Sequence, residues 1–124
     1  MPGLIPHLIA GSILYLIARY FFRASFDGSQ KSKERYLLLF ICLLMSIIPD
    51  AFLGFYYATN LLSFEALLPY HVYTHLIITP ISTIMFLLLI IIDSKRKPIW
   101  LFGIFAIVLH IIMDQFIQEI GVFY

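Results

Sequence analysis

Apolar residues run along this chain in four blocks, 4–22, 36–58, 72–92 and 99–117, each 19 to 23 residues long and nearly free of charge. At a rise of ~1.5 Å per residue, a helix of that length crosses the ~30 Å hydrocarbon core of a bilayer. A helix satisfies its own backbone hydrogen bonds, so the pattern predicts four spanning helices. The expected fold class is all-α, an integral membrane four-helix bundle forming one transmembrane domain over 1–124. The first block lacks a basic leader, and Arg19 and Arg23 fall at its far end. It is expected to be a retained helix rather than a cleaved signal peptide.

Composition agrees with the pattern. The chain is 62% hydrophobic and 12% charged, with a mean hydropathy of +0.98, which is far from the balance of a soluble domain. Cys42 is the only cysteine, which excludes an intrachain disulfide and a thiolate metal cluster. The net charge of +1 conceals a segregation. All eight Lys and Arg residues (Arg19, Arg23, Lys31, Lys33, Arg35, Lys95, Arg96 and Lys97) lie in or beside the first or third connection. The positive-inside rule then places those connections in the cytoplasm, with both termini and the second connection, 59–70, outside. The cytoplasmic (plasma) membrane is the expected location, the basic run Ser94-Lys95-Arg96-Lys97 is expected to anchor topology, and no nucleic-acid partner is expected.

Against that background the polar residues inside the blocks stand out, because ionisable groups are costly in lipid and mark functional sites. All four histidines, His7, His71, His75 and His110, and two acids, Asp50 and Asp114, fall in the outer half of the predicted bundle. Asp50 lies eight residues short of the end of its block, ~12 Å below the surface for a straight helix. His71/His75 and His110/Asp114 are i, i+4 pairs. Residues four apart share a helix face, so each pair can close on one ion from one side. Imidazole with carboxylate suits zinc, with manganese or iron as competitors. The expected metal ligands are therefore His7, Asp50, His71, His75, His110 and Asp114. Pro49 and Pro80 are expected to bend their helices around the cavity.

Duller roles compete with this reading. A histidine at the interface is wet, and buried polar pairs can simply hold helices together. The aromatic residues read as lipid-facing or belt positions. Ser63 is expected to cap a short interfacial helix carrying Glu65, a candidate lid. Glu119, five residues past Asp114, and Asp50 are the candidate general bases, although a solvated helix end is the simpler reading of Glu119.

The pieces His7, Ile48-Pro49-Asp50, Thr74-His75 and His110-Ile-Ile-Met-Asp114 followed by Gly121 resemble the predicted membrane-bound metal-dependent hydrolases, also described as LexA-binding, inner-membrane-associated hydrolases. The resemblance spans the chain through short motifs. It implies a divalent metal site and, more distantly, the helical scaffold of zinc-dependent phospholipase C. Several positions depart from the family pattern, among them Leu76 in place of a serine after the second histidine and Gln118-Glu119 in place of a small turn motif. Phe52 stands where a second acid is usual, and Tyr70 stands where the family places the first histidine of its third motif. His71 is thus nominated by spacing alone.

The expected function is a metal-dependent hydrolase acting on lipid phosphoesters at the outer leaflet, where the bowl meets the headgroups. The alternative is a non-enzymatic divalent-metal-binding or transport protein. A transporter needs a polar path to the cytoplasm, and the inner halves of the blocks offer almost none unless an oligomer supplies it. A b-type cytochrome is disfavoured, because an i, i+4 histidine pair cannot flank one haem iron.

Overall fold

The computed structural model describes residues 4–28, 31–59, 61 and 63–116. It is helical throughout, with no strand among the described residues. The α-helices are α1 (Leu4–Phe21), α2 (Arg23–Phe26), α3 (Ser32–Ile47), α4 (Ala51–Thr59), α5 (Phe64–Tyr73), α6 (Thr79–Ile92) and α7 (Lys97–Phe116). Helices α1, α3, α7 and α6 pack side by side in that order, and α1 also touches α7. The chain returns through α4 and α5, which pack on each other.

Two expected blocks take a different course from a straight rod. The second is divided. Pro49 has no N–H to continue the helical ladder, and the backbone tightens into a 3₁₀ turn at Ile48–Asp50 between α3 and α4. The third starts at Phe64 rather than at 72, and α5 runs on into α6 through a π-helical turn at Thr74–Ile78. There the Thr79 N–H bonds the Thr74 carbonyl, immediately before Pro80, whose ring cannot donate. Such wide turns are frequent at functional sites. Ser63 does cap this helix, accepting from the Ala66 N–H at 3.3 Å, but the segment it opens is the start of one long helix. Glu65 lies in the first turn of that helix.

Among the described residues two helices, Glu65–Ile92 and Ser94–Phe116, are long and apolar enough to cross a membrane, and Ile5–Phe21 is apolar but shorter. Between the helices, Ala18, Leu38, Cys42, Phe86, Ala106 and Ile107 form a packed apolar core. Two glycines mark close approaches between helices. A Cβ on Gly103 would meet the Phe86 ring at 2.9 Å, and one on Gly11 would meet Ser46 Oγ at 2.8 Å and the Cys42 carbonyl at 2.9 Å. Small residues at such crossings let helices approach backbone to backbone. Gly11 is thus the point where α1 locks onto α3, one turn from His7.

The basic residues gather at one end. Arg96 joins Glu34 at 2.9 Å and Asp93 at 3.3 Å, tying the third connection to the start of α3. Lys97 lies thirteen residues before His110 on α7, hence ~20 Å from it.

Candidate metal centre

His7 on α1 lies one helical turn before Gly11, so the tight α1–α3 crossing sets it against the end of α3. There the Pro49 turn redirects the chain and carries Asp50 inward. The turn is held from the other side by Thr74. Its buried hydroxyl lies 2.7 Å from the Pro49 carbonyl and 2.6 Å from that of His71, with one proton to share between them. His71 and His75 flank Thr74 on the long helix. His110 and Asp114 face the same point from α7.

The structure brings all six of these side chains together. His7 Nε2 lies 3.2 Å from Asp50 Oδ2 and 3.4 Å from Asp114 Oδ1. Asp50 Oδ1 lies 3.5 Å from His71 Nδ1, 3.3 Å from His75 Nε2 and 3.8 Å from His110 Nε2. Asp114 Oδ2 lies 3.4 Å from His75 Nε2 and 3.2 Å from His110 Nε2. The His7 and His110 rings stack at 4.3 Å. His7, His71 and His110 are at most 1% exposed. Glu119, the other candidate base, lies outside the described residues.

These spacings can be compared with two kinds of polar cluster. Charge-assisted N–H···O bonds close to ~2.7–2.9 Å. Donors around one tetrahedral zinc ion, each ~2.0–2.1 Å from the metal, stand ~3.3 Å from one another. The cluster sits near the second value. Moreover, both ring nitrogens of His7 and His71, Nε2 of His110 and both oxygens of Asp114 are buried without a hydrogen-bond partner, in a class of groups that folded proteins normally satisfy. The His75–Asp50 contact does have hydrogen-bond geometry.

His110 supplies the most specific clue. Its Nδ1 lies 2.8 Å from the Ser46 carbonyl, an acceptor only, so Nδ1 carries the proton. Ser46 lies in the last turn of α3, where carbonyls lack helical partners. In the neutral ring Nε2 then presents a lone pair to two carboxylates. Lone pair against anion is repulsive, and a shared cation makes it attractive. A histidine whose second nitrogen donates to a carbonyl is the usual arrangement of a metal ligand.

These residues can therefore hold a metal ion. Two overlapping groups have donor atoms mutually within 4.8 Å, namely His7, Asp50, His110 and Asp114, and Asp50, His71 and His75. Cys42 is buried one turn before Ser46, and its carbonyl accepts the Ser46 hydroxyl at 2.7 Å; its thiol belongs to neither group.

A cavity of about 340 Å³ between the long helix and α7 reaches the cluster. His71, Val72, His75, Ile111, Asp114 and Gln115 line it. A larger space of about 540 Å³ lies at the basic end, among Lys31, Glu34, Asp93, Lys95 and Arg96, away from the histidines.

Sequence reasoning missed three contributors. The Ser46 carbonyl left no trace, because a backbone acceptor looks the same in every residue. Thr74 enters the sequence reading only beside His75 in a motif, and its bond to the Pro49 carbonyl has no sequence signal. Gly11 at i+4 from His7 was visible as spacing, but its contact was not. No known protein family, curated protein or solved structure matches the chain.

Proposed function

We propose that this protein is an integral membrane four-helix bundle and a divalent-metal-dependent hydrolase, with zinc as the resident ion and a lipid phosphoester as substrate. The observation that carries the proposal is the set of buried, unpaired imidazole and carboxylate atoms spaced as ligands rather than as hydrogen-bond partners. The resemblance to membrane-bound metal-dependent hydrolases belongs to the same proposal and rests on the short motifs alone.

The membrane reading is supported by where apolar side chains point. On the long helix Leu76, Ile81, Ile84, Leu88, Ile91 and Ile92 are all more than half exposed. A water-soluble monomer rarely leaves so continuous an apolar surface uncovered. The basic end then faces the cytoplasm and the metal cluster lies in the outer half.

A bound divalent ion supplies Lewis acidity, lowering the pKa of water toward ~7 and polarising a phosphoryl oxygen. The chain's own residues arrange access and charge. His71, His75 and Asp114 line the cavity and meet the substrate, while His7 and His110 sit behind them. The Ser46 carbonyl fixes the His110 ring, and Thr74 fixes the Asp50 turn. Both Asp50 oxygens face histidines, which favours a ligand role for it and leaves Glu119 as the candidate general base. Val72 and Ile111 are exposed at the cavity, so within the bilayer its mouth opens sideways to lipid. That geometry admits an amphiphile from the membrane plane.

A binding protein without turnover is the second reading, favoured by a ligand set large enough to saturate an ion. Transport is opposed by the apolar core of Leu38, Phe86, Ala106 and Ile107, which separates the cluster from the basic end. The test is hydrolysis of phospholipids in mixed micelles by zinc-loaded protein, beside His75→Ala and Asp114→Asn. Turnover by the wild type alone supports the hydrolase; stoichiometric metal without turnover across phosphomono- and phosphodiester lipids supports the binding protein.

A further inference from the structure

Six candidate ligands are more than one tetrahedral ion can use. His7, Asp50, His110 and Asp114 form one group, and four protein donors complete the shell of a structural zinc site. That leaves His71, 0% exposed with both nitrogens unpaired, and His75. These two stand with Asp50 in a second group. The Asp50 carboxylate faces both ways. Its Oδ2 is 3.2 Å from His7, and its Oδ1 is 3.5 Å from His71 and 3.3 Å from His75.

The cavity touches the groups unequally. It is lined by His71 and His75 of the second group and, of the first, by Asp114 alone, with neither His7 nor His110 among its walls. The first group is thus the more buried and reaches the cavity only through Asp114. The second offers three protein donors with space on its open side, the pattern of a catalytic ion.

We propose, building on the metal-dependent reading above, that the centre takes two divalent cations bridged by Asp50. One is a buried ion held by His7, His110, Asp50 and Asp114, and the other is a cavity-facing ion held by His71, His75 and Asp50. A pair of ions held there would supply Lewis acidity to a phosphoryl group. Two such ions against two carboxylates leave a net positive charge in a low-dielectric interior, which selects an anionic substrate.

The decisive experiment loads full-length protein in detergent with Mn²⁺, counts ions per chain after dialysis, and records the electron paramagnetic resonance spectrum. Two ions per chain with an exchange-coupled signal are expected. The double variant His71→Ala/His75→Ala should keep one ion, uncoupled, whereas Asp50→Ala should disturb both. Wild-type protein that saturates at one ion with an isolated Mn²⁺ spectrum overturns the pair while leaving the single-metal reading intact. Two ions without coupling overturn the bridge. No bound ion overturns both proposals. The wild-type count and spectrum decide even where a variant fails to fold.

Discussion

Replacing Gly11 by alanine places a methyl carbon 2.8 Å from Ser46 Oγ and 2.9 Å from the Cys42 carbonyl oxygen. The hydroxyl is already bonded to that carbonyl at 2.7 Å, and the carbonyl belongs to helix backbone, so neither yields easily. Ordinary contact begins near 3.4 Å, and α1 must therefore retreat by roughly half an ångström. Metal sites tolerate only about ±0.2 Å in ligand position. His7 lies one turn away on the same face and moves with the helix, loosening its approach to Asp50 and Asp114. Overpacking costs ~1–3 kcal/mol, and the helix-propensity gain of Gly→Ala returns up to ~1 kcal/mol. The protein should therefore fold with a net loss of ~0–3 kcal/mol. Metal affinity should suffer more, falling ~10- to 100-fold, the range seen when a ligand's support is disturbed. Zinc titration against a chromophoric chelator measures this directly. Gly54→Ala is the control, since a Cβ there meets nothing within 4 Å. Unchanged affinity in Gly11→Ala, or an equal loss in Gly54→Ala, would refute the link between this crossing and the cluster.

Thr74→Val keeps the side-chain shape and removes the proton shared by the Pro49 and His71 carbonyls; thermal or denaturant unfolding should show ~1–3 kcal/mol lost, and zinc affinity should drop about tenfold. Chelation of the metal should lower the melting temperature of the wild type, since an ion at a thousand times its Kd stabilises the fold by ~4 kcal/mol, and the shift should vanish in His110→Ala. In a background with Cys42 replaced, cysteine at Glu65 should label from outside intact cells with an impermeant reagent and cysteine at Lys95 should not; labelling of both from one side contradicts the proposed orientation.

The residues of the cluster were legible in the sequence because ionisable side chains are scarce in apolar runs, and each one found there needs a reason. Their convergence toward one region followed from counting along helices. The bend at Pro49 was foreseeable from a missing N–H, though its form, a 3₁₀ turn that ends α3 and aims Asp50 inward, was not. The start of the long helix was placed too late, because Ser63, Pro69 and the polar second connection read as a separate piece. Pro69 is tolerated within α5, and the π turn before Pro80 lets the helix continue. The Ser46 carbonyl and the Gly11 contact were invisible for a different reason. A backbone acceptor's partner and a helix crossing exist only once α1, α3 and α7 are packed.

X-ray absorption on the zinc-reconstituted protein tests the central claim most directly. The expected first shell is nitrogen and oxygen alone at ~2.0–2.2 Å, with outer-shell scattering from several imidazoles that diminishes in His75→Ala and in His110→Ala. A sulfur shell at ~2.3 Å, or a shell with no imidazole scattering, would contradict it.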